Sequence, residues 1–152
     1  MQTIVSQLPA NKTIALIAHD GRKASLIEWC QRYKSELANH SLLATGTTGS
    51  KIAKTTGLNI SPLMSGPMGG DQQIGALIAE QKVHMVIFFW DPLEPMPHDP
   101  DVKALLRLAA VWNIPVACNE TTADMLMASP LFNQSFKWEI PDYQSYINSR
   151  NN

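Results

Sequence analysis

Met85-Val86-Ile87-Phe88-Phe89-Trp90 are six apolar residues in an unbroken run. A strand without polar alternation is buried on both faces, as the central strands of parallel sheets are. Thr13-Ile14-Ala15-Leu16-Ile17-Ala18 has nearly the same character and ends at His19-Asp20-Gly21. Leu42-Leu43-Ala44, the stretch from Leu58 to Met64, and Ile114-Pro115-Val116-Ala117-Cys118 read as three more strands. Helical spacing fills the intervals. Leu26, Ile27, Trp29, Cys30 and Tyr33 recur on one helix face, and Ser50 to Thr56 reads as a short helix. Ile74, Leu77 and Ile78 line a helix from Asp71 to Gln81. Asp99-Pro100-Asp101 sets acids around a proline, a helix-start signal, before Val102, Leu105, Leu106 and Ala109. Thr121 or Thr122 can cap a helix through Met127, and Pro141 to Asn152 reads as a short helix with a polar tail. Alternating buried strands and amphipathic helices predict an α/β fold, a doubly wound, mainly parallel sheet with helices on both faces. A single domain over residues 1–152 accommodates it.

Composition narrows the function. Hydrophobic residues at 45% and charged residues at 16% describe an ordinary globular chain. A formal net charge of −1 offers no basic stripe for nucleic acid or an anionic membrane. No apolar run reaches the roughly 18 residues needed to cross a bilayer, and the first residues lack a signal-peptide pattern. A cytoplasmic protein is the expectation. Cys30 and Cys118 have neither CxxC spacing nor a histidine at ligand spacing, so they read as buried free thiols rather than zinc ligands.

In doubly wound folds the active loops gather at the carboxyl ends of the strands. Three loops here follow strand-like runs and carry chemistry. The first is Thr45-Gly46-Thr47-Thr48-Gly49, the second Ser65-Gly66-Pro67-Met68-Gly69-Gly70-Asp71, and the third runs from Asp91 to Asp101. Hydroxyls of Thr45, Thr47, Thr48 and Ser65, close backbone approach at Gly46 and Gly66, and the ammonium of Lys23 suit a bound phosphate. Threonine and glycine are also ordinary turn and cap residues. Neither GxxxxGK[ST] nor GxGxxG occurs, so nucleoside triphosphate and dinucleotide motifs are unsupported.

Asp71 is a candidate general base, with the N-cap of its helix as the alternative role. A capping box would need Glu or Gln at position 74, which is Ile74. His98, set between Pro97 and Asp99-Pro100, can polarise a carbonyl as a neutral imidazole, and His19 lies on the same edge. Each can equally be a loop side chain satisfied by backbone. His40 and His84 precede strands on the opposite edge and read as polar surface. Asp101 is a second candidate acid, balanced against a helix-start role. Asp20, Asp91 and Asp99 complete an acidic cluster, and Arg150 reads as a solvated tail residue.

Taken together, His19-Asp20 with Lys23, Ala44-Thr45-Gly46-Thr47-Thr48-Gly49, Ser65 to Gln73, Phe88-Phe89-Trp90-Asp91-Pro92 and His98-Asp99-Pro100-Asp101 resemble the methylglyoxal synthases, over nearly the whole chain. The resemblance implies conversion of dihydroxyacetone phosphate to methylglyoxal and inorganic phosphate, with no metal or organic cofactor. It implies Asp71 as base, His98 with His19 on the substrate's oxygens, and Asp101 assisting proton transfers. Lys23, Thr45, Gly46, Thr47, Thr48, Ser65 and Gly66 would hold the phosphate. It also implies a homohexamer and inorganic phosphate as an inhibitor. A rival is the related regulatory domain of carbamoyl phosphate synthetases, which senses a ligand through the phosphate pocket and has no use for Asp71 with His98. Cyclisation of a nucleotide precursor is a third reading and needs a larger pocket.

Overall fold

The computed structural model describes residues 2–151. Five parallel strands form the sheet: β2 (Thr13–Ala18), β3 (Ser41–Thr45), β4 (Ile60–Leu63), β5 (Met85–Phe89) and β6 (Val116–Ala117), in the order β4-β3-β2-β5-β6. In register, Leu16 lies beside Ala44 of β3 and Ile87 of β5. From β2 the chain winds outward to β3 and β4, then returns to β5 and winds outward the other way. The crevice between the carboxyl ends of β2 and β5 is therefore the switch point, where open α/β sheets bind ligands.

Two cores fill the two faces. Ile14, Leu16, Met85, Ile87 and Phe89 point to one side, against α1 (Lys23–Arg32), α3 (Gly46–Thr56) and α6 (Glu120–Ala128). Ala15, Ile17, Val86 and Phe88 point to the other, against α4 (Gly70–Ala79) and α5 (Asp99–Val111). Every β5 residue is buried, as its uninterrupted apolar run requires. A four-residue helix α2 (Lys34–Leu37) follows α1, and α7 (Tyr143–Asn148) fits the short terminal helix expected.

Several expectations need correction. Outside the main sheet, β1 (Thr3–Leu8) pairs antiparallel with β7 (Phe136–Pro141), a ribbon not anticipated at either end. The strand expected over Ile114–Cys118 is reduced to Val116–Ala117. Asn119, not Thr121 or Thr122, caps α6, its side chain accepting the Thr122 N–H at 2.9 Å. His40 and His84 are not simple polar surface. Each is half-buried, with Nδ1 accepting a backbone N–H at 2.9 Å, from Lys12 and Thr13 respectively. Both cysteines are free, Cys30 buried and Cys118 partly so.

Candidate active site

A cavity of ≈ 240 Å³ opens at the switch point. Its walls come from the exits of β2, β3, β4 and β5, so the loops singled out in the sequence do converge. His19, Lys23, Thr45, Gly46, Thr47, Thr48, Ser65, Gly66, Asp71 and His98 all line it. Asp101 does not. It lines a separate groove between α4 and α5, which reaches Asp71 from the other side.

The threonine loop bends tightly from strand to helix. Gly46 adopts φ +51°, and a Cβ there would lie 2.9 Å from the Ser65 Cβ, so glycine alone lets the β3 and β4 exits meet. No side chain caps the start of α3, which leaves its first-turn amides available to an anion. Lys23 starts α1 and donates from Nζ to Thr47 Oγ1 at 3.2 Å, while pairing with Asp20 at 2.5 Å. That pair holds the ammonium at the cavity wall, and the Lys23 partner in turn holds the Asp20 carboxyl below its ordinary value.

Asp71 is not an N-cap. Gly69, at φ +103°, turns the chain into α4, so Asp71 becomes the second helical residue and its carboxylate is free of capping. The side chain is 5% exposed, and His98 Nε2 stands 4.0 Å from Oδ2. That separation is too long for a hydrogen bond. Burial raises the Asp71 carboxyl above its ordinary value; His98 and His19 oppose the rise and Asp101 adds to it. A carboxylate made more basic in this way suits a proton acceptor.

Gly66 borders both groups. A Cβ on Gly66 would stand 3.1 Å from His98 Nε2 and 3.2 Å from Asp71 Oδ2, so any side chain would crowd imidazole and carboxylate together. His19 packs edge-on against Phe88 and 6.1 Å, centroid to centroid, from His98. Its Nδ1 accepts the Asp91 N–H at 3.4 Å, which puts the proton of the neutral ring on Nε2. Nε2 is buried and has no partner, and neither has Nδ1 of His98. Buried polar atoms are ordinarily satisfied, and both rings belong to the cavity wall; Arg22 Nε and Trp138 Nε1 are also without partners.

The other acids are structural or peripheral. Asp91 Oδ1 accepts the Leu93 N–H at 3.1 Å, and Asp99 opens α5. Among the described residues no group of three His, Cys, Asp or Glu is arranged to hold a metal. Arg150 stacks on Tyr146, 4.8 Å from the ring centre. Sequence reasoning missed Met96, which joins the cavity wall from the third loop. No sequence signal separated Met96 from its exposed neighbours in that loop.

The chain is similar to known proteins along nearly its whole length. Residues 25–118 match the model of the MGS-like domain family. The methylglyoxal synthase of Pseudoalteromonas translucida is 61% identical over 99% of this chain and 97% of its own. That of Cellvibrio japonicus is also 61% identical, over 95% and 94%. Among solved structures, the methylglyoxal synthase of Elizabethkingia anophelis superposes with a TM-score of 0.88 at 49% identity, covering 95% of each chain. Matches of that identity and extent mean that the chain belongs to the methylglyoxal synthase family.

Proposed function

We propose that the cavity carries out proton abstraction and phosphate elimination with Asp71 as the base. The enzyme is a lyase that converts dihydroxyacetone phosphate to methylglyoxal and inorganic phosphate. The observation that carries the site assignment is the buried Asp71 carboxylate, uncapped and raised in basicity, facing His98 beside Gly66.

In this reading the phosphate sits at the open start of α3, held by Lys23, Thr45, Gly46, Thr47, Thr48, Ser65 and Gly66. Asp71 takes a proton from the hydroxymethyl carbon, and the carbonyl becomes an enediolate. The Nε2 proton of His19 and the imidazole of His98 stabilise charge on its oxygens, the effect usually worth most in such sites. The hydroxyl on the deprotonated carbon gives up its proton and becomes the aldehyde carbonyl, the carbon–carbon double bond shifts toward the phosphate-bearing carbon, and the C–O bond to phosphate breaks with its electron pair leaving on the phosphate. The resulting enolate takes a proton at its terminal carbon to give methylglyoxal. Asp101, one groove away, assists by raising the basicity of Asp71.

Elimination competes with reprotonation of the same enediolate. If the C–O bond stands out of the enediolate plane it overlaps the π system and breaks; in the plane it does not. Donors that stabilise the departing phosphate lower the first barrier more than the second. Incubation with dihydroxyacetone phosphate should therefore yield methylglyoxal and phosphate in equal amounts, with little glyceraldehyde phosphate. A product mixture dominated by glyceraldehyde phosphate would overturn the elimination step.

A phosphate sensor would need Lys23 and the threonine loop but not a buried carboxylate opposite an imidazole. Three finer proposals accompany the main one. Inhibition by inorganic phosphate follows from its being a product that fits the same cradle. A homohexameric assembly rests on the family resemblance, and a cytoplasmic location on composition and the lack of a long apolar run. Among the described residues no helix is long and apolar enough to cross a membrane.

A further inference from the structure

We propose that Gln73 is a positioning residue that ties the phosphate cradle to the base through the backbone of Met64. The proposal rests on the site reading above. The cradle comes from two chain segments, the β3–α3 junction and the residues after β4, whereas the base stands on α4. The backbone of one residue, Met64, is bonded to both the threonine loop and α4. The C=O of Met64 accepts the Gly46 N–H at 3.1 Å, linking it to the threonine loop. The Met64 N–H donates to Oε1 of Gln73 at 2.8 Å, linking it to α4 two residues beyond Asp71. Gly70 closes the junction. Its N–H donates to the Ser65 C=O at 2.9 Å, and a Cβ there would lie 2.1 Å from the Met64 oxygen.

Met64 follows the last residue of β4, where ladder pairing has ended, and the residue is 58% exposed. At such a position water can satisfy the N–H nearly as well as a side chain. Water cannot fix the distance between two catalytic segments, and a side chain rooted in α4 can. Small displacements of this kind affect rate strongly because proximity and orientation set much of the barrier. The bond therefore matters more to catalysis than to stability.

Gln73→Leu removes the acceptor and keeps most of the side-chain volume; Gln73→Glu keeps an acceptor oxygen. Steady-state kinetics with dihydroxyacetone phosphate, calorimetric titration with inorganic phosphate and thermal unfolding are measured on both. For Gln73→Leu we expect kcat/KM and phosphate affinity each to fall about two- to tenfold, the range for one net hydrogen bond, with an almost unchanged melting temperature. Gln73→Glu should recover phosphate affinity. Wild-type kinetics and phosphate affinity in Gln73→Leu would overturn the proposal. So would equal losses in both variants, or a loss that merely tracks a lowered melting temperature. Asp71→Asn in the same assays serves as the control: retained turnover there would remove the site reading itself, whatever Gln73 does.

Discussion

At the amino-terminal edge of the sheet, His40 and His84 each accept a backbone N–H, and His40 Nε2 also meets Asn133 Oδ1 at 3.0 Å. Beside them Lys12, 1% exposed, donates from Nζ to the carbonyls of Leu131, Phe132 and Gln134 at 2.8–3.0 Å. At the carboxyl-terminal edge the same kinds of group are left wanting. His19 Nε2 and His98 Nδ1 are buried without partners, and Asp71 faces an imidazole across 4.0 Å. Buried polar groups that bond to the protein hold it together, and a buried polar atom left without a partner calls for an explanation that a functional site can supply. Among these histidines, satisfaction rather than residue type separates the two edges.

The largest expected effect breaks the reactive edge. Asp71→Asn keeps shape and polarity but cannot accept the carbon-bound proton, and loss of a general base typically lowers turnover roughly 100- to 10,000-fold. Inorganic phosphate should still bind, because the amide leaves the cradle intact. Turnover above about half of wild type would place the base elsewhere, being far outside that range.

A smaller effect sharpens the division of labour within the same edge. Lys23→Ala and Thr47→Ala each remove a group proposed to contact the phosphate, and one hydrogen bond to a charged partner is worth roughly 1.5–3 kcal/mol. Calorimetry should show phosphate affinity weakened on the order of 10- to 100-fold in each. Unchanged affinity in both would remove phosphate from the threonine loop.

The subtlest effect concerns acid stability of the other edge. Burial, with the Lys12 ammonium nearby, lowers the pKa of both His40 and His84 from the ordinary 6.5, though the Asn133 contact partly opposes this at His40. Below about pH 6.5 the unfolded chain therefore binds protons that the folded chain refuses. Stability present above that pH should fall as pH drops through the lowered pKa values, and His40→Asn with His84→Asn should flatten the decline. An equally steep decline in the double variant would assign the acid sensitivity to other groups.

How much of this was legible depended on whether the signal was local. Met85 to Phe89 announced a central strand because burial on both faces leaves no room for alternation. Asp99-Pro100-Asp101 marked the start of α5 because capping preferences act within one turn. That the threonine loop and Ser65-Gly66 meet at one cavity was legible because each follows a strand-like run, and such loops gather at one edge of a parallel sheet. The β1–β7 ribbon was not, since only Leu8 of β1 is buried and its partner strand lies at the other end of the chain. The N-cap alternative for Asp71 stayed open in the sequence because the left-handed turn that displaces it, at Gly69, is tied to the β4 exit by bonds distant from any cap pattern. His40 and His84 looked like surface for a similar reason: their backbone partners, Lys12 and Thr13, are distant in sequence. Asp101 read as a neighbour of the cavity, but the packing of α4 on α5 gives it a groove of its own.

The claim that the two edges differ in satisfaction is tested most directly by comparing thermal unfolding of Asp71→Asn and Lys12→Met at neutral pH. Burial raises the Asp71 carboxyl, so the ionised group destabilises the fold above its folded pKa and not below the ordinary 3.8. Replacing it with an amide should raise the melting temperature by a few degrees, roughly 2–4 °C per kcal/mol for a chain of this size, and the gain should vanish toward acid pH. Lys12→Met leaves three carbonyls without their donor and should lower the melting temperature by on the order of 10 °C. Opposite shifts are the predicted result; Asp71→Asn melting below wild type, or both variants moving together, would contradict it.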